Sequence, residues 1–208
     1  MTNPVLITLQ KTIETLLGQF SQIPNERKPV IQELTDYVIL KRKTHQAIKL
    51  NFICTHNSRR SHISQLWAQT AAYYFGIANV ETYSGGTEAT AFNPRAVKAM
   101  TNAGFDITLV KDGTNPVYEG RYSSTAPGLT LFSKKYDDAF NPNSDFAAVM
   151  TCSHADENCP LVIGATKRIA LTYNDPKDFD GTSQENQKYQ ERVHEIGREI
   201  LCAFSQVK

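Results

Sequence analysis

A mainly apolar run, IKLNFIC at residues 48–54, is the sequence feature that most constrains how this chain folds. Such a run predicts a buried β-strand, and a helical pattern that ends at Gly76 follows it after a short polar turn. Further along, ANVETYS, FAAVMTC and KRIALTY predict strands at residues 78–84, 146–152 and 167–173, interspersed with helical patterns. Strands that alternate with helices indicate an α/β fold in which a parallel sheet is covered by helices on both sides.

The segment before this strand is predicted to be a helical extension that covers residues 1–46. Apolar side chains recur at helical spacing from residue 5 to residue 20, and a second helical pattern extends from residue 30 to about residue 43. Pro24 and Pro29 mark the join between the two helices. Positive charges at the end of the second helix complement its dipole, so we interpret them as a solvated helix terminus rather than a nucleic-acid site.

The remainder of the chain, residues 47–208, is predicted to form one α/β domain with an insertion near residues 111–145. The insertion is rich in glycine, proline, serine and asparagine, and it is expected to be irregular apart from one strand in GLTLFS at residues 128–133. A long amphipathic helix with apolar positions from Val193 to Phe204 is expected to end the domain.

Charge and apolar patterning exclude several functional classes. The 22 lysine and arginine residues nearly balance the 21 aspartate and glutamate residues, so no general attraction to nucleic acid or to an anionic membrane is expected. No apolar run approaches the ~20 residues of a membrane-spanning helix, and the N-terminus lacks the pattern of a signal peptide. We therefore expect a soluble, cytoplasmic protein whose cysteines are catalytic, metal-binding or simply buried rather than paired in structural disulfides.

Most of the candidate catalytic and anion-binding residues lie in the turn between the first strand and the following helix. Cys54 ends the strand and Arg60 opens the helix, and the five residues between them are enough to curl the backbone so that successive N–H groups point into one concavity. The helix N-terminus and the planar Arg60 guanidinium suit a tetrahedral oxyanion. The same positive environment favours the thiolate of Cys54, the predicted nucleophile, to which Ser61 can donate a hydrogen bond. The predicted oxyanion-binding residues are Thr55, His56, Asn57, Ser58, Arg59, Arg60 and Ser61.

A carboxylic acid is the other group that this chemistry needs, because a thiolate that attacks phosphorus or arsenic leaves an oxygen that must take up a proton. Asp175, which precedes Pro176 just after the last predicted strand, is the candidate, since active sites of α/β sheets assemble at that edge. Asp178 and Asp180 are alternative candidates for this acid. Asp175 can also be only a turn residue, because an aspartate before proline commonly forms a turn.

A second pair of cysteines follows the strand FAAVMTC. Six residues separate Cys152 from Cys159, and no second cysteine or histidine pair follows at zinc-site spacing, so no metal site is predicted despite His154. Cys152 is expected at the same sheet edge as Cys54, where its thiol can attack a sulfur adduct on Cys54 and Cys159 can resolve the resulting disulfide. The alternative is a loop with two inert thiols. Cys202, on the last helix, is expected in the core.

These motifs resemble a known family. The loop CTHNSRRSH after a strand, with an Asp-Pro pair after the last strand, resembles the low-molecular-weight protein tyrosine phosphatases, whose loop has the pattern C-x2-N-x2-R-S. The stretches VMTCSHADENCP and NDPKDFDGT more closely resemble the thioredoxin-coupled arsenate reductases that share this fold. The resemblance extends over roughly residues 48–205 and implies three αβα layers around a central parallel sheet of about four strands.

By this resemblance, the chain is expected to reduce arsenate to arsenite. Cys54 would attack arsenate, Arg60 and the loop amides would bind it, and Asp175 would act as the acid. Cys152 would then attack Cys54, and Cys159 would form the final disulfide with Cys152. An external thiol reductant, expected to be thioredoxin, would reduce that disulfide, and no tightly bound cofactor is implied.

The sequence departs from the reductase pattern, since Arg59 stands where these loops carry a second cysteine and His56 replaces the usual glycine. Two alternatives therefore stay open. The chain can be a low-molecular-weight phosphatase that forms a phosphocysteine, in which Cys152 and Cys159 protect Cys54 from oxidation. It can also be a non-catalytic anion sensor or docking module that uses its helical extension to bind a partner.

Overall fold

The computed structural model describes residues 3–158 and 161–207. Helices and strands alternate along most of this part of the chain. The helices are α1 (Ile7–Leu17), α2 (Lys28–Lys43), α3 (Arg60–Tyr74), α4 (Pro94–Asn102), α5 (Ser153–Asn158) and α6 (Glu185–Ser205), with short 3₁₀ turns at Phe20–Gln22, Asn25–Arg27 and Pro176–Phe179. The strands are β1 (Ile48–Cys54), β2 (Val80–Gly86), β3 (Asp106–Lys111), β4 (Val117–Arg121), β5 (Leu129–Leu131), β6 (Phe146–Met150) and β7 (Ala165–Ile169).

The central sheet contains four parallel strands in the order β2-β1-β6-β7. This confirms the predicted parallel sheet of about four strands. β1 lies between β2 and β6, and its last residue, Cys54, pairs with Gly86 at the end of β2. Because the strands are parallel, the loops that follow them emerge at one edge. Three predicted strand ends are wrong, since β2 ends at Gly86, β6 ends at Met150 and β7 ends at Ile169.

The two faces of the sheet are covered by different elements. One face, which includes Leu50 and Val149, packs in a large core with α1 to α4 and α6. The opposite face, which includes Ile53 and Met150, packs on α5 and on the segment around Tyr136. The sheet is thus the middle one of three layers, as predicted.

The expectation of a single strand within residues 111–145 is wrong. Both β4 and β5 lie there, and together with β3 they form an antiparallel sheet in the order β3-β4-β5. The sequence signal for β3 is weak because most of its residues are exposed, and a register shift between Leu109 and Lys111 interrupts its pairing with β4. The strand in GLTLFS is confirmed, although only three of its residues are in β5.

The N-terminal helices pack against the rest of the fold. Leu9 and Ile13 of α1 and Leu34 of α2 are fully buried in the same core as α6. The helical character predicted for residues 1–46 is confirmed, while the domain boundary at residue 47 stays a prediction. Cys202 on α6 is only partly buried and packs at the periphery of this core. In the described ranges, no helix has both the length and the apolar character needed to cross a membrane.

Candidate active site

Cys54 lies at the carboxyl edge of the central sheet, where the loop of residues 55–59 leads into α3. The residue is buried, and its Sγ lies 3.2 Å from Oγ of Ser61 in the first turn of α3. The Asn57 side-chain amide donates a hydrogen bond to the same Ser61 Oγ at 2.8 Å. Because Ser61 Oγ accepts from Asn57, its own hydrogen is left to point at the sulfur. The contact between Ser61 and Cys54 that the sequence predicts is therefore present.

The curl of the loop depends on Asn57, whose φ of 43° lies in the left-handed region. Asparagine tolerates this conformation better than most residues. Gly86 packs against the loop so closely that a Cβ there would lie 2.6 Å from the backbone N of Asn57 and 2.6 Å from the carbonyl oxygen of Thr55. Only glycine fits at this position of β2.

Residues between β5 and β6 hold the loop from outside. Ser133 Oγ donates to the carbonyl oxygen of His56 at 2.9 Å and accepts the N–H of Thr90 at 2.7 Å. The backbone N–H of Lys134 donates to Asn57 Oδ1 at 2.9 Å. Ser133 and Lys134 were not predicted as site residues, because nothing in the local pattern around GLTLFS indicates which strand-end residue reaches a loop some 77 residues earlier.

Arg60 is oriented by the segment that follows β7. Its Nη1 donates to the carbonyl oxygen of Tyr173 at 2.9 Å, and its Nη2 donates to Asp175 Oδ2 at 2.6 Å. Among the described residues, none offers a hydrogen-bond acceptor to the buried Nε of Arg60. A buried donor without an acceptor is costly, so this N–H is available to an oxygen of a bound anion.

Asp175 is brought to the loop, as predicted. Besides binding Arg60, it caps the 3₁₀ turn Pro176–Phe179 by accepting the Lys177 N–H at 3.1 Å. Of its two rivals, Asp178 is exposed and Asp180 lies 3.6 Å from Nη2 of Arg59. The structure therefore favours Asp175 as the carboxyl group nearest to Arg60.

Arg59 is turned toward a different set of partners. Its Nε donates to the phenol oxygen of Tyr189 at 2.8 Å, and that phenol donates to Asp180 Oδ1 at 2.7 Å. Burial, together with the Asp180 carboxylate, raises the pKa of Tyr189 to about 12, so the phenol keeps its proton. Arg59 thus contributes positive charge near Asp175, at 3.9 Å, while its hydrogen bond goes to α6.

The remaining loop residues occupy distinct positions. His56 is half-exposed at the rim, with Nε2 at 3.6 Å from Glu88 Oε2. Ser58 is buried, and its carbonyl oxygen accepts the N–H of Asn93 at 2.9 Å. One small recess is lined by Cys54, His56, Ser58, Arg59, Arg60 and Asp175.

Cys152 lies two residues beyond β6, at the same edge as Cys54, as predicted. It is buried, and its Sγ accepts the N–H of Ala155 at 3.4 Å in the first turn of α5. Thr55 Oγ1 lies 3.4 Å from this sulfur and 3.4 Å from Nδ1 of His154. Cys159 lies outside the described residues. Within those that are described, no three histidine, cysteine, aspartate or glutamate side chains are grouped as metal ligands.

Comparison with solved structures indicates the class of this protein. The low-molecular-weight phosphotyrosine phosphatase from Vibrio cholerae O395 superposes with a TM-score of 0.51 at 12% sequence identity, over 76% of this chain and 95% of that one. At this level of identity the likeness concerns the fold alone. The fold defines a phosphatase-like α/β protein, and the site has a buried cysteine at the start of residues 55–61, the predicted oxyanion loop.

No family model matches the chain. Comparison with individual sequences nevertheless identifies its family. The arsenate reductase of Bacillus licheniformis is 31% identical over an alignment of 154 residues that covers 72% of this chain and 89% of that protein. The arsenate reductase of Shouchella clausii is 32% identical over 150 residues, with the same coverage of both chains. The chain belongs to the arsenate reductase family, as its motifs indicated, and is an enzyme.

Proposed function

We propose that the enzyme reduces arsenate to arsenite through a relay of cysteine thiols. The observation that carries the proposal is the position of a second buried cysteine beside the oxyanion loop. Cys152 Sγ lies 3.4 Å from the hydroxyl of Thr55, the residue that directly follows Cys54. A simple phosphatase needs only the first cysteine, whereas a reductase needs a second thiol within reach of the first.

In the first step, the Cys54 thiolate attacks the arsenic atom of arsenate. The S–As bond forms and one As–OH bond of hydrogen arsenate breaks, and the departing hydroxyl group takes a proton from Asp175 and leaves as water. The loop amides and the Nε–H of Arg60 bind the other oxygens and stabilise the negative charge that builds up on them. Ser61 holds the Cys54 thiolate in place before the attack.

In the second step, the Cys152 thiolate attacks the sulfur of Cys54. The S–S bond forms, the S–As bond breaks, and its electron pair stays on arsenic, so arsenic(V) becomes arsenic(III) while two thiols become a disulfide. Cys159, whose part rests on the sequence resemblance, then attacks Cys152 and releases Cys54. An external dithiol such as thioredoxin reduces the Cys152–Cys159 disulfide, so the enzyme needs a reducing compartment such as the cytoplasm and no tightly bound cofactor.

The test is arsenate-dependent oxidation of NADPH in the presence of thioredoxin and thioredoxin reductase. We expect turnover by the native enzyme and by Cys202→Ser, a control outside the relay, and none by Cys54→Ser or Cys152→Ser. Hydrolysis of an aryl phosphate, measured in parallel, separates the two chemistries. Rapid hydrolysis by the native enzyme without arsenate-dependent NADPH oxidation would contradict the proposal and leave a phosphatase with Cys152 as a redox guard.

A further inference from the structure

Arg27, in the short turn between α1 and α2, reaches from the N-terminal extension into the main core. Its Nε and Nη2 donate to the two carboxylate oxygens of Glu199 on α6, at 2.9 and 2.7 Å. Glu199 is only 1% exposed. This is therefore a bidentate pair with a buried carboxylate, in contrast to the exposed ion pairs that contribute little to a fold.

The same guanidinium covers the ring of Tyr173. The Cζ atom of Arg27 lies 5.0 Å from the ring centre, and the ring is buried. Burial raises the pKa of Tyr173 well above its usual value, the Glu199 carboxylate raises it further, and the Arg27 guanidinium acts in the opposite direction without cancelling the rise. The phenol therefore stays neutral, and Tyr173 acts as a packed platform rather than as a counter-charge.

Tyr173 connects this pair to the oxyanion site. Its carbonyl oxygen accepts the Nη1–H of Arg60 at 2.9 Å, and Asp175, two residues later, accepts the Nη2–H. Nη1 and Nη2 of Arg60 are thus both held by one short segment, while Nε has no acceptor among the described residues. The ring of Tyr173 fixes that segment, and Arg27 fixes the ring.

The charges around this segment explain why Arg27 and Glu199 form a pair. Burial lowers the pKa of Arg192, and the positive charges of Arg60 and Arg27 lower it further. Glu199 is the buried carboxylate that offsets these guanidiniums. Removing Arg27 alone leaves Glu199 with an uncompensated buried charge, which will draw another cation toward it and shift the Tyr173 segment.

We propose that Arg27 is a positioning residue of the oxyanion site: through Glu199 and the Tyr173 ring it holds the Tyr173–Asp175 segment in the place that orients Arg60. The inference rests on the oxyanion-binding part of the proposed function. The motifs that resemble the reductases begin with the strand at residue 48, so Arg27 lies outside them. The helical extension therefore contributes to anion binding, because its residue Arg27 helps to orient Arg60.

The test compares the dissociation constant for inorganic phosphate, measured by calorimetry, among folded variants. We expect Arg27→Met, which keeps apolar cover over the ring but loses the charge, to weaken phosphate binding about tenfold, and to raise KM for arsenate more than it lowers kcat. Arg27→Lys should be intermediate. The double variant Arg27→Met/Glu199→Gln, which also lacks the pair, should bind phosphate no better than Arg27→Met, and recovery of native affinity would overturn the inference.

The matched control is Thr35→Val on α2. The Thr35 hydroxyl is buried and lies 3.1 Å from the carbonyl oxygen of Ala203, so its loss weakens the same contact between the extension and α6 without touching Tyr173. We expect a lower melting temperature and an unchanged phosphate affinity. Equal losses of phosphate affinity in Thr35→Val and Arg27→Met would reduce Arg27 to a merely structural role and overturn the inference.

Further outcomes are equally decisive. If Arg27→Met folds and binds phosphate with native affinity, the inference is overturned. If Arg27→Met does not fold, native phosphate affinity in Arg27→Lys overturns the inference instead. Failure of the native enzyme to bind phosphate also overturns it. If the native enzyme binds phosphate but does not reduce arsenate, the proposed reduction fails, while the inference about Arg27 is still decided by the phosphate measurements.

Discussion

The Oδ1 atom of Asn57 accepts the backbone N–H of Lys134 at 2.9 Å, so the loop residue with left-handed backbone conformation is bound to the chain between β5 and β6. Ser133 adds a second link through the carbonyl oxygen of His56. The loop is therefore shaped from outside as well as by its own sequence. Substitutions in this outer segment should change anion binding although none of its residues lies in the recess.

Ser133→Ala tests this link most directly. The variant loses the hydrogen bonds to the His56 carbonyl oxygen and from the Thr90 N–H, so we expect the free energy of unfolding to fall by about 1 kcal/mol and phosphate affinity to fall about fivefold. Urea unfolding and phosphate calorimetry measure the two effects. Ser123→Ala is the control, because buried Ser123 also bonds a carbonyl oxygen, that of Pro4, but far from the loop. Loss of phosphate affinity in the control would contradict the prediction.

Gly86→Ala should damage the site more severely. The new Cβ would lie 2.2 Å from the carbonyl oxygen of Glu88 and 2.6 Å from the backbone N of Asn57, and these backbone atoms have to move. We expect a loss of stability of about 2–4 kcal/mol and at least a tenfold loss of phosphate affinity in the folded fraction. Gly18→Ala, whose Cβ meets nothing closer than 3.5 Å, is the control and should be neutral or slightly stabilising in thermal unfolding. A fully active Gly86→Ala enzyme would show that the loop is not packed as described.

The central sheet and the cysteine loop were predictable because their signals are local. A buried strand, a polar turn and a helix start follow one another within residues 48–61, and the parallel order then brings Cys54 and Cys152 to one edge. The contacts that hold these segments were not predictable, since Ser133 reaches the His56 carbonyl oxygen, and Arg27 reaches the Tyr173 ring, across long sequence separations. Arg59 shows the same limit, because its position in the loop predicts an anion ligand but its hydrogen bond goes to Tyr189 on α6.

Asp175→Asn tests the acid. The amide keeps one acceptor oxygen, enough for either the Arg60 Nη2–H or the Lys177 N–H, and it cannot supply a proton, so we expect kcat for arsenate reduction to fall about 10²-fold or more and KM to change less. Initial rates over a range of arsenate concentrations separate the two parameters. Asp178→Asn, an exposed neighbour, is the control and should keep the native rate. A normal rate in Asp175→Asn, with a loss in Asp178→Asn, would reverse the assignment.

Lys134→Met should stabilise the protein at neutral pH. Burial lowers the pKa of the Lys134 ammonium from 10.5 to about 8, although nearby Asp138 acts in the opposite direction. Below pH 8 the folded protein must hold a buried charge, which costs about 3 kcal/mol, and cation–π contacts with Phe132 and Phe140 offset part of that cost. We expect Lys134→Met to raise the free energy of unfolding by about 1–3 kcal/mol at pH 7.

The pH dependence of this difference follows from the sign of the pKa change. Between pH 8 and 10.5 the unfolded chain still binds the lysine proton while the folded chain has lost it, so native stability rises with pH relative to the variant. The advantage of Lys134→Met should therefore shrink across this interval. Urea unfolding of both proteins at pH 7 and at pH 10 measures it. A difference that does not change with pH would mean that Lys134 is not buried in its charged form.

Thr55→Val should slow the second chemical step, the attack of Cys152 on Cys54, and leave the rate of the first step, the attack of Cys54 on arsenate, unchanged. The Thr55 hydroxyl lies 3.4 Å both from Cys152 Sγ and from Nδ1 of His154, so it can stabilise the attacking thiolate and pass its proton toward the imidazole. Valine keeps the shape but removes the hydroxyl, and we expect the Cys54–Cys152 disulfide to form about tenfold more slowly after a single arsenate turnover. Thr55→Ser, which retains the hydroxyl, should behave like the native enzyme.

Rapid quenching with an alkylating reagent followed by mass spectrometry gives the rate of disulfide formation, and phosphate affinity checks that the loop is intact. Equal rates in the serine and valine variants would show that the hydroxyl takes no part, and that Cys152 reaches the adduct on Cys54 without help from the loop.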